Sequence, residues 1–366
     1  MHWQSGRAAP ARRRAWLAAC LLALALPAGA AAPPAAAATP LAALAAPQLA
    51  AAPHRLARTE RAPLADTAAD DATRRLTGDA VAVLYPELGE PYRGIFNAII
   101  DGIALQTGPV RRYPVAAGTD VPALQATLRR NGVRVVVALG RQGLRAAQAL
   151  EVDLPVVVGG IVSVPEPGAR ERPLAGVSLT PDPALLFMHL RRLQPGVRRV
   201  FVVYNPAHND WLLSLARPAA RAQGLELVAL EARDVATAAR HYQALFTTAD
   251  GRRDALWLPQ DPTTGDEEMI LPLVLREAWS HSLPVISSSF PHVKKGALFA
   301  LYPDNRELGR ALAKSAVRLL AGESEGQDIQ PLQAVLTAIN LRTASHLGLT
   351  IDYQQQRRFD FVFPEP

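Results

Sequence analysis

Cysteine is nearly absent: Cys20 is the only one in 366 residues, and it lies inside an N-terminal apolar run. Once that run is removed as an export signal, the chain has no thiol, which excludes disulfides and thiolate chemistry. Long apolar runs are lacking too. No segment past the N-terminus approaches the ~20 uninterrupted apolar residues of a membrane-spanning helix, so a multi-span membrane protein is excluded. The motifs that carry much enzyme chemistry are missing: there is no G-x-S-x-G elbow, no H-E-x-x-H, no G-x-x-x-x-G-K-[ST] phosphate loop and no G-x-G-x-x-G fingerprint. His189, His208, His241, His281, His292 and His346 show no metal-ligand pairing and read as surface or helix-end residues. Glu267-Glu268 reads as a helix first turn favoured by the dipole. These absences speak against an enzyme, although a triad assembled from distant residues leaves no such trace. A large basic excess is also lacking, because four arginines and no acids fall in residues 1–30 and lower the formal +6 to about +2. No cofactor, metal or nucleic-acid partner is implied.

What is present begins with Arg7, Arg12, Arg13 and Arg14, the apolar run Ala15 to Pro27, and the small-x-small pattern Ala28-Gly29-Ala30. That order is a secretory signal peptide and predicts an exported, periplasmic chain. Leu17-Ala18-Ala19-Cys20 looks like a lipoprotein box, but the apolar run continues past it from Leu21 to Leu26, so cleavage near Ala30 is the reading. Residues 31–78 are dominated by Ala and Pro and cannot bury a core; they read as a spacer.

From Asp79 onward one unit repeats: a Val/Ala/Leu-rich run, a turn, then an amphipathic segment. This alternation predicts an α/β fold with parallel sheets covered on both faces and loops at the strand ends. Strands are expected at Val81 to Tyr85, Val110 to Val115, Val133 to Leu139, Pro155 to Ile161 and Leu174 to Leu179, with Pro181-Asp182-Pro183 marking a change of lobe. A second series runs from Arg198 to Ser289, with helices expected at about Asp210 to Gln223, stopped by Gly224, and at Asp266 to His281. The helix Arg306 to Ala321 is expected to pack back on the first lobe. The architecture is then two doubly wound Rossmann-like lobes joined by a multi-strand hinge. Lobe 1 takes residues 79–178 plus about 300–324, and lobe 2 residues 179–299 plus about 325–351. In the tail, 352–366, the alternation of Phe359, Phe361 and Phe363 predicts an edge strand.

The stretches PGVRRVFVVYNPAHND (Pro195 to Asp210), DALWLPQD (Asp254 to Asp261), LPVISSSFPHVKKGALFALYPDNRELGR (Leu283 to Arg310) and INLRTASHLGLTI (Ile339 to Ile351) resemble, in order and spacing, the type I periplasmic substrate-binding proteins of ABC transporters. The likeness spans Val81 to Ile351 and is to the branch associated with tryptophan, tyrosine and related solutes. It implies capture of a small polar or amino-acid-like ligand between two closing lobes, and delivery to a membrane permease. The same trap serving as the sensory module of a membrane kinase is the alternative, and a monomer is expected in either case.

Contacts are expected from loops at the carboxyl ends of strands. In lobe 1 these are Tyr85, Glu87 and Glu90, then Gly140, Arg141, Gln142 and Gly143, then Ile161 to Ser163. The resemblance implies a small hydroxyl residue at the third loop, opening a helix that holds a carboxylate. Here Arg141 stands between glycines, and a two-pronged contact from its guanidinium is the substitute. In lobe 2 the candidates are Asn209, Trp211, Asp261 as acceptor for an ammonium, Ser288 and Ser289, and Tyr302, with Asn205 read as turn chemistry. Tyr85, Trp211 and Tyr302 are candidates to stack on a planar ligand.

Overall fold

The structure, a computed structural model, describes residues 80–90, 92–162, 174–323 and 329–364; the signal segment, the spacer and Ser163 lie outside them. The first series is β1 (Val81–Pro86), α1 (Tyr92–Thr107), β2 (Arg111–Val115), α2 (Val121–Arg130), β3 (Val135–Leu139), α3 (Gly140–Gln148), β4 (Val156–Gly159) and β5 (Ala175–Pro181). Then come α4 (Pro183–Leu193), β6 (Arg199–Tyr204), α5 (Pro206–Ala222), β7 (Glu226–Glu231), α6 (Val235–Thr248), β8 (Asp254–Leu258), α7 (Ile270–Ser280), β9 (Val285–Ser287) and α8 (Phe290–Lys295). The chain closes with β10 (Phe299–Pro303), α9 (Asn305–Leu320), β11 (Ile329–Leu332), β12 (Val335–Asn340), α10 (Leu341–His346), α11 (Tyr353–Gln356) and β13 (Phe361–Phe363).

These strands form two sheets, ordered β11-β5-β4-β3-β1-β2 and β13-β12-β10-β9-β8-β6-β7. All neighbours are parallel except β10 and β12. Every residue of β3 and β8 is buried, as expected for strands covered on both faces. In lobe 2, Trp257 meets Phe187 edge-on at 5.6 Å. Asp254 is buried at the start of β8, where the Arg199 guanidinium grips both its oxygens at 2.8 and 2.7 Å. Burial pushes that carboxyl up, but the Arg199 bonds and the Asp250 N–H prevail and hold it below the usual range.

Local chemistry moved some expected boundaries. Helix α5 opens at Pro206 rather than Asp210, because Asn205 caps it by accepting the Ala207 N–H at 3.0 Å and proline suits the first helical position. Gly224, at φ +64°, follows its end. Helix α7 opens only at Ile270, since Asp266 folds the preceding residues into a turn by accepting the N–H groups of Glu268 and Met269. Glu267-Glu268 therefore sits ahead of the helix, and Glu267 pairs with Lys295 at 2.8 Å. The division between sheets also differs from the boundaries read along the chain: β10 lies in the second sheet, β11 in the first, and the tail strand β13 extends the second by pairing with β12.

Helix α9 belongs to the first lobe because two glycines let it touch α1. A Cβ on Gly102 would stand 2.0 Å from the Arg306 carbonyl oxygen, and one on Gly309 would stand 2.1 Å from that of Ile99. The chain crosses between sheets after β5, after β10 and after β11. These crossings are knitted together: the Asp182 N–H donates to the Leu332 carbonyl at 3.0 Å, the Asp304 N–H to that of Ala334 at 3.1 Å, and the Gln333 amide to Asp182 Oδ2 at 2.6 Å. The product is a three-stranded hinge within residues 61–366.

Candidate functional site

Parallel strands aim their carboxyl ends, and the loops that follow, at one edge of each sheet, and the three crossings leave from that same edge. In lobe 1 the ends of β1, β3 and β4 converge on the Phe96 ring. An added Cβ on Gly140 would meet that ring at 3.0 Å and Pro86 at 3.3 Å, and one on Gly160 would meet the ring at 3.3 Å. Gly140 also holds φ +67°, so the turn from β3 directly into α3 requires glycine twice over. Gly143 faces the sheet instead, 3.1 Å from the Leu84 carbonyl oxygen by the same measure, and serves packing.

Helix α3 has Leu139 at its cap position and no side chain closing its first turn. An α-helix offers its first-turn N–H groups no partner within the helix itself. Arg141 projects from that turn and is exposed, with Gln142 half-buried beside it. Tyr85 is half-buried. Glu90 is exposed and turned back on its own chain, accepting the Gly94 N–H at 3.2 Å.

In lobe 2 several expected ligand contacts are committed to the protein. Asp261 Oδ2 accepts the Asn205 N–H at 2.7 Å and the Asn209 amide at 2.9 Å, while Oδ1 accepts the N–H groups of Thr263 and Thr264 at 2.9 and 3.0 Å. Four bonds fill a carboxylate, so Asp261 pins the β8 loop to the start of α5 and has no acceptor site left for an ammonium. Asn209, 3% exposed, is held in the same network. Ser288 is buried, receiving the Trp257 indole N–H at 3.3 Å, and its carbonyl accepts the Gln260 amide at 2.9 Å. Ser287 is buried against His292, Oγ to Nδ1 at 2.8 Å. Of the three serines only Ser289 remains half-buried, at the uncapped start of α8.

Aromatic surface is present at this edge. Phe290, the first residue of α8, and Tyr302, at the end of β10, are both half-buried with ring centroids 4.9 Å apart. Burial, then the charges of Asp360 and Asp304, raise the Tyr302 hydroxyl above the usual range and keep it protonated. Trp211 packs its ring on the lobe 2 core, which explains its place on α5 without a ligand, but its Nε1 is buried with no acceptor among the described residues. Asn305, just after the second crossing, carries a buried Oδ1 with no donor among the described residues. Asn305, Phe290 and Gln260 escaped the sequence reading. Nothing in their spacing distinguishes them from helix-start and loop residues; only the strand order brings them to this edge.

Among the described residues no helix is long and apolar enough to cross a membrane, and no group of three His, Cys, Asp or Glu is placed to hold a metal ion. A family model described as ABC transporter substrate binding protein matches residues 89–356. A tyrosine-binding protein of Clostridioides difficile (strain R20291) is 22% identical over 268 residues, which are 70% of this chain and 76% of that one. Among solved structures, a substrate binding protein with adhesive properties from Clostridium difficile, in its ligand-free, open form, superposes with TM-score 0.55 at 17% identity, covering 77% of this chain and 98% of the other. An ABC domain in complex with L-Trp from Streptococcus pneumonia gives TM-score 0.49 at 21% identity, covering 77% of this chain and all of the other.

Proposed function

Because the chain belongs to the ABC transporter substrate binding protein family, we propose that it is an exported, periplasmic receptor that closes two lobes on an amino-acid-like solute and delivers it to an ABC permease. In this reading residues 1–30 are the export signal, residues 31–78 tether the folded part, and the protein acts as a monomer without changing its ligand chemically. The observation that carries the proposal is the pair of largely parallel sheets whose carboxyl edges share one three-stranded hinge. A ligand closes such a hinge only by binding the closed state more tightly than the open one.

We assign the ligand carboxylate to the start of α3, which has no side-chain cap, and to Arg141, since a helix N-terminus and a guanidinium both favour an anion. The ammonium goes to Asn305 Oδ1, the buried acceptor without a donor, in place of the saturated Asp261. A planar side chain goes to the half-buried pair Phe290 and Tyr302. The relative named for tyrosine binding supports an aromatic amino acid. The test is mass spectrometry of solute released from natively purified protein, followed by calorimetry with L-tyrosine and L-tryptophan. Arg141→Ala is expected to weaken binding by at least tenfold, about 1.4 kcal/mol or more. An isotherm unchanged by that substitution removes the carboxylate assignment, and release of a chemically altered solute overturns the receptor reading.

A further inference from the structure

The family match ends at residue 356, yet the fold continues. Strand β13 pairs in parallel with β12, Ala338 opposite Phe361 and Asn340 opposite Phe363, and becomes the outer strand of the second sheet. It is tied in from its leading end as well: Asp360 Oδ2 accepts the Thr337 N–H at 2.7 Å and the Thr337 hydroxyl at 3.0 Å.

What β13 touches is the aromatic pair at the carboxyl edge. The Phe361 ring stands edge-on to Phe290 at 4.8 Å, and Phe290 in turn leans on Tyr302 at 4.9 Å. Lys294 places its ammonium 5.2 Å from the centroids of both Phe290 and Phe361, clamping the two rings from one side. The rings share this cluster with the small residues Ala300 and Ala338 of β10 and β12 and with Val293 and Phe363. Their support comes from α8 and β13. Without Phe361, Phe290 would lose its edge-on partner, and an edge-to-face contact holds a ring beyond what its buried area alone contributes.

We propose that the C-terminal strand, through Phe361, positions the Phe290–Tyr302 pair and so sets how tightly the protein holds ligands with a planar ring. This rests on the ligand reading given above, and Phe361 is a positioning residue, not a ligand contact. The test compares the full-length chain with Phe361→Ala and Phe361→Tyr, by calorimetry with L-tyrosine and L-tryptophan and by hydrogen exchange of the unliganded proteins. Phe361→Ala is expected to weaken both amino acids by about tenfold. It should also raise exchange selectively over residues 289–303, with β6 and β8 unaffected, and Phe361→Tyr should restore both properties. Unchanged affinity in Phe361→Ala overturns the proposal. So does an exchange increase spread evenly through the second sheet, since that marks a purely structural role. If the wild-type chain binds neither amino acid, the ligand reading is what fails; the positioning claim is then decided by exchange alone, and an unaltered 289–303 segment overturns it.

Discussion

His292 shows how far one residue can depart from its sequence appearance. Nothing in Pro291-His292-Val293 marks it as other than a surface histidine, but it is 4% exposed with Nδ1 against the Ser287 hydroxyl. Burial, opposed by the charge of Glu267 and aided by that of Lys295, brings its imidazole down to about 4. The unfolded chain takes up this proton near pH 6.5 while the folded chain does not until about 4. Stability is therefore expected to fall as pH drops from 6.5 to 4, by on the order of 3 kcal/mol, and to level off below. Urea denaturation across that range checks it: His292→Gln should flatten this part of the curve, and a variant with the wild-type slope would show that other groups carry it. Asp261 makes a second case. Its four accepted hydrogen bonds predict that Asp261→Ala loses on the order of 3 kcal/mol of stability by stranding buried N–H donors. A Tm close to wild type, with ligand affinity abolished, would return Asp261 to the role the sequence suggested.

At the scale of elements, α9 decides how the chain is divided. Its sequence announces a helix from Arg306 to Ala321, and the structure caps it with Asp304, which accepts the N–H groups of Arg306 and Glu307 at 3.1 and 3.0 Å. Which sheet it covers is settled by shape. Gly102 and Gly309 let two backbones approach, and Leu312 fills the space above Gly159, where an added Cβ would stand 2.3 Å from Leu312 Cδ1. Gly309→Val is expected to cost about 3 kcal/mol or more, because the obstruction is a backbone carbonyl that cannot rotate aside. Thermal denaturation measures this; a loss under about 1 kcal/mol would mean that the two helices separate freely. Most strands and helices were legible from apolar runs and spacing, because burial on both faces demands continuous Val, Ile, Leu and Ala. The starts of α5 and α7 were not, because a side chain bonding its own backbone carries no periodic signal.

At the scale of the whole molecule, three crossings bonded to one another join the two lobes, and the proposed capture predicts that they close on the ligand. A ligand at a hundred times its Kd stabilises the bound state by about 2.7 kcal/mol, and closure should reduce the radius of gyration. Thermal shift and small-angle scattering with and without L-tyrosine read the two effects together. A rise in Tm with unchanged scattering would establish binding without closure.

By itself the sequence determined the fold class, the two series of units and the family resemblance, since each rests on where apolar residues recur along the chain. Sheet membership, by contrast, was a tertiary decision: β11 joined the first sheet and β13 the second through pairing partners more than twenty residues distant. The site divided in the same way. Local pattern pointed to the loops that form it, but which polar groups remain open there depends on partners brought in from elsewhere. Asp261 is saturated by Thr263 and Thr264 of its own loop together with Asn205 and Asn209 at the start of α5, while Asn305 Oδ1 has no donor among the described residues. A hydrogen bond needs its partner within about 3 Å, and only the folded chain fixes that distance.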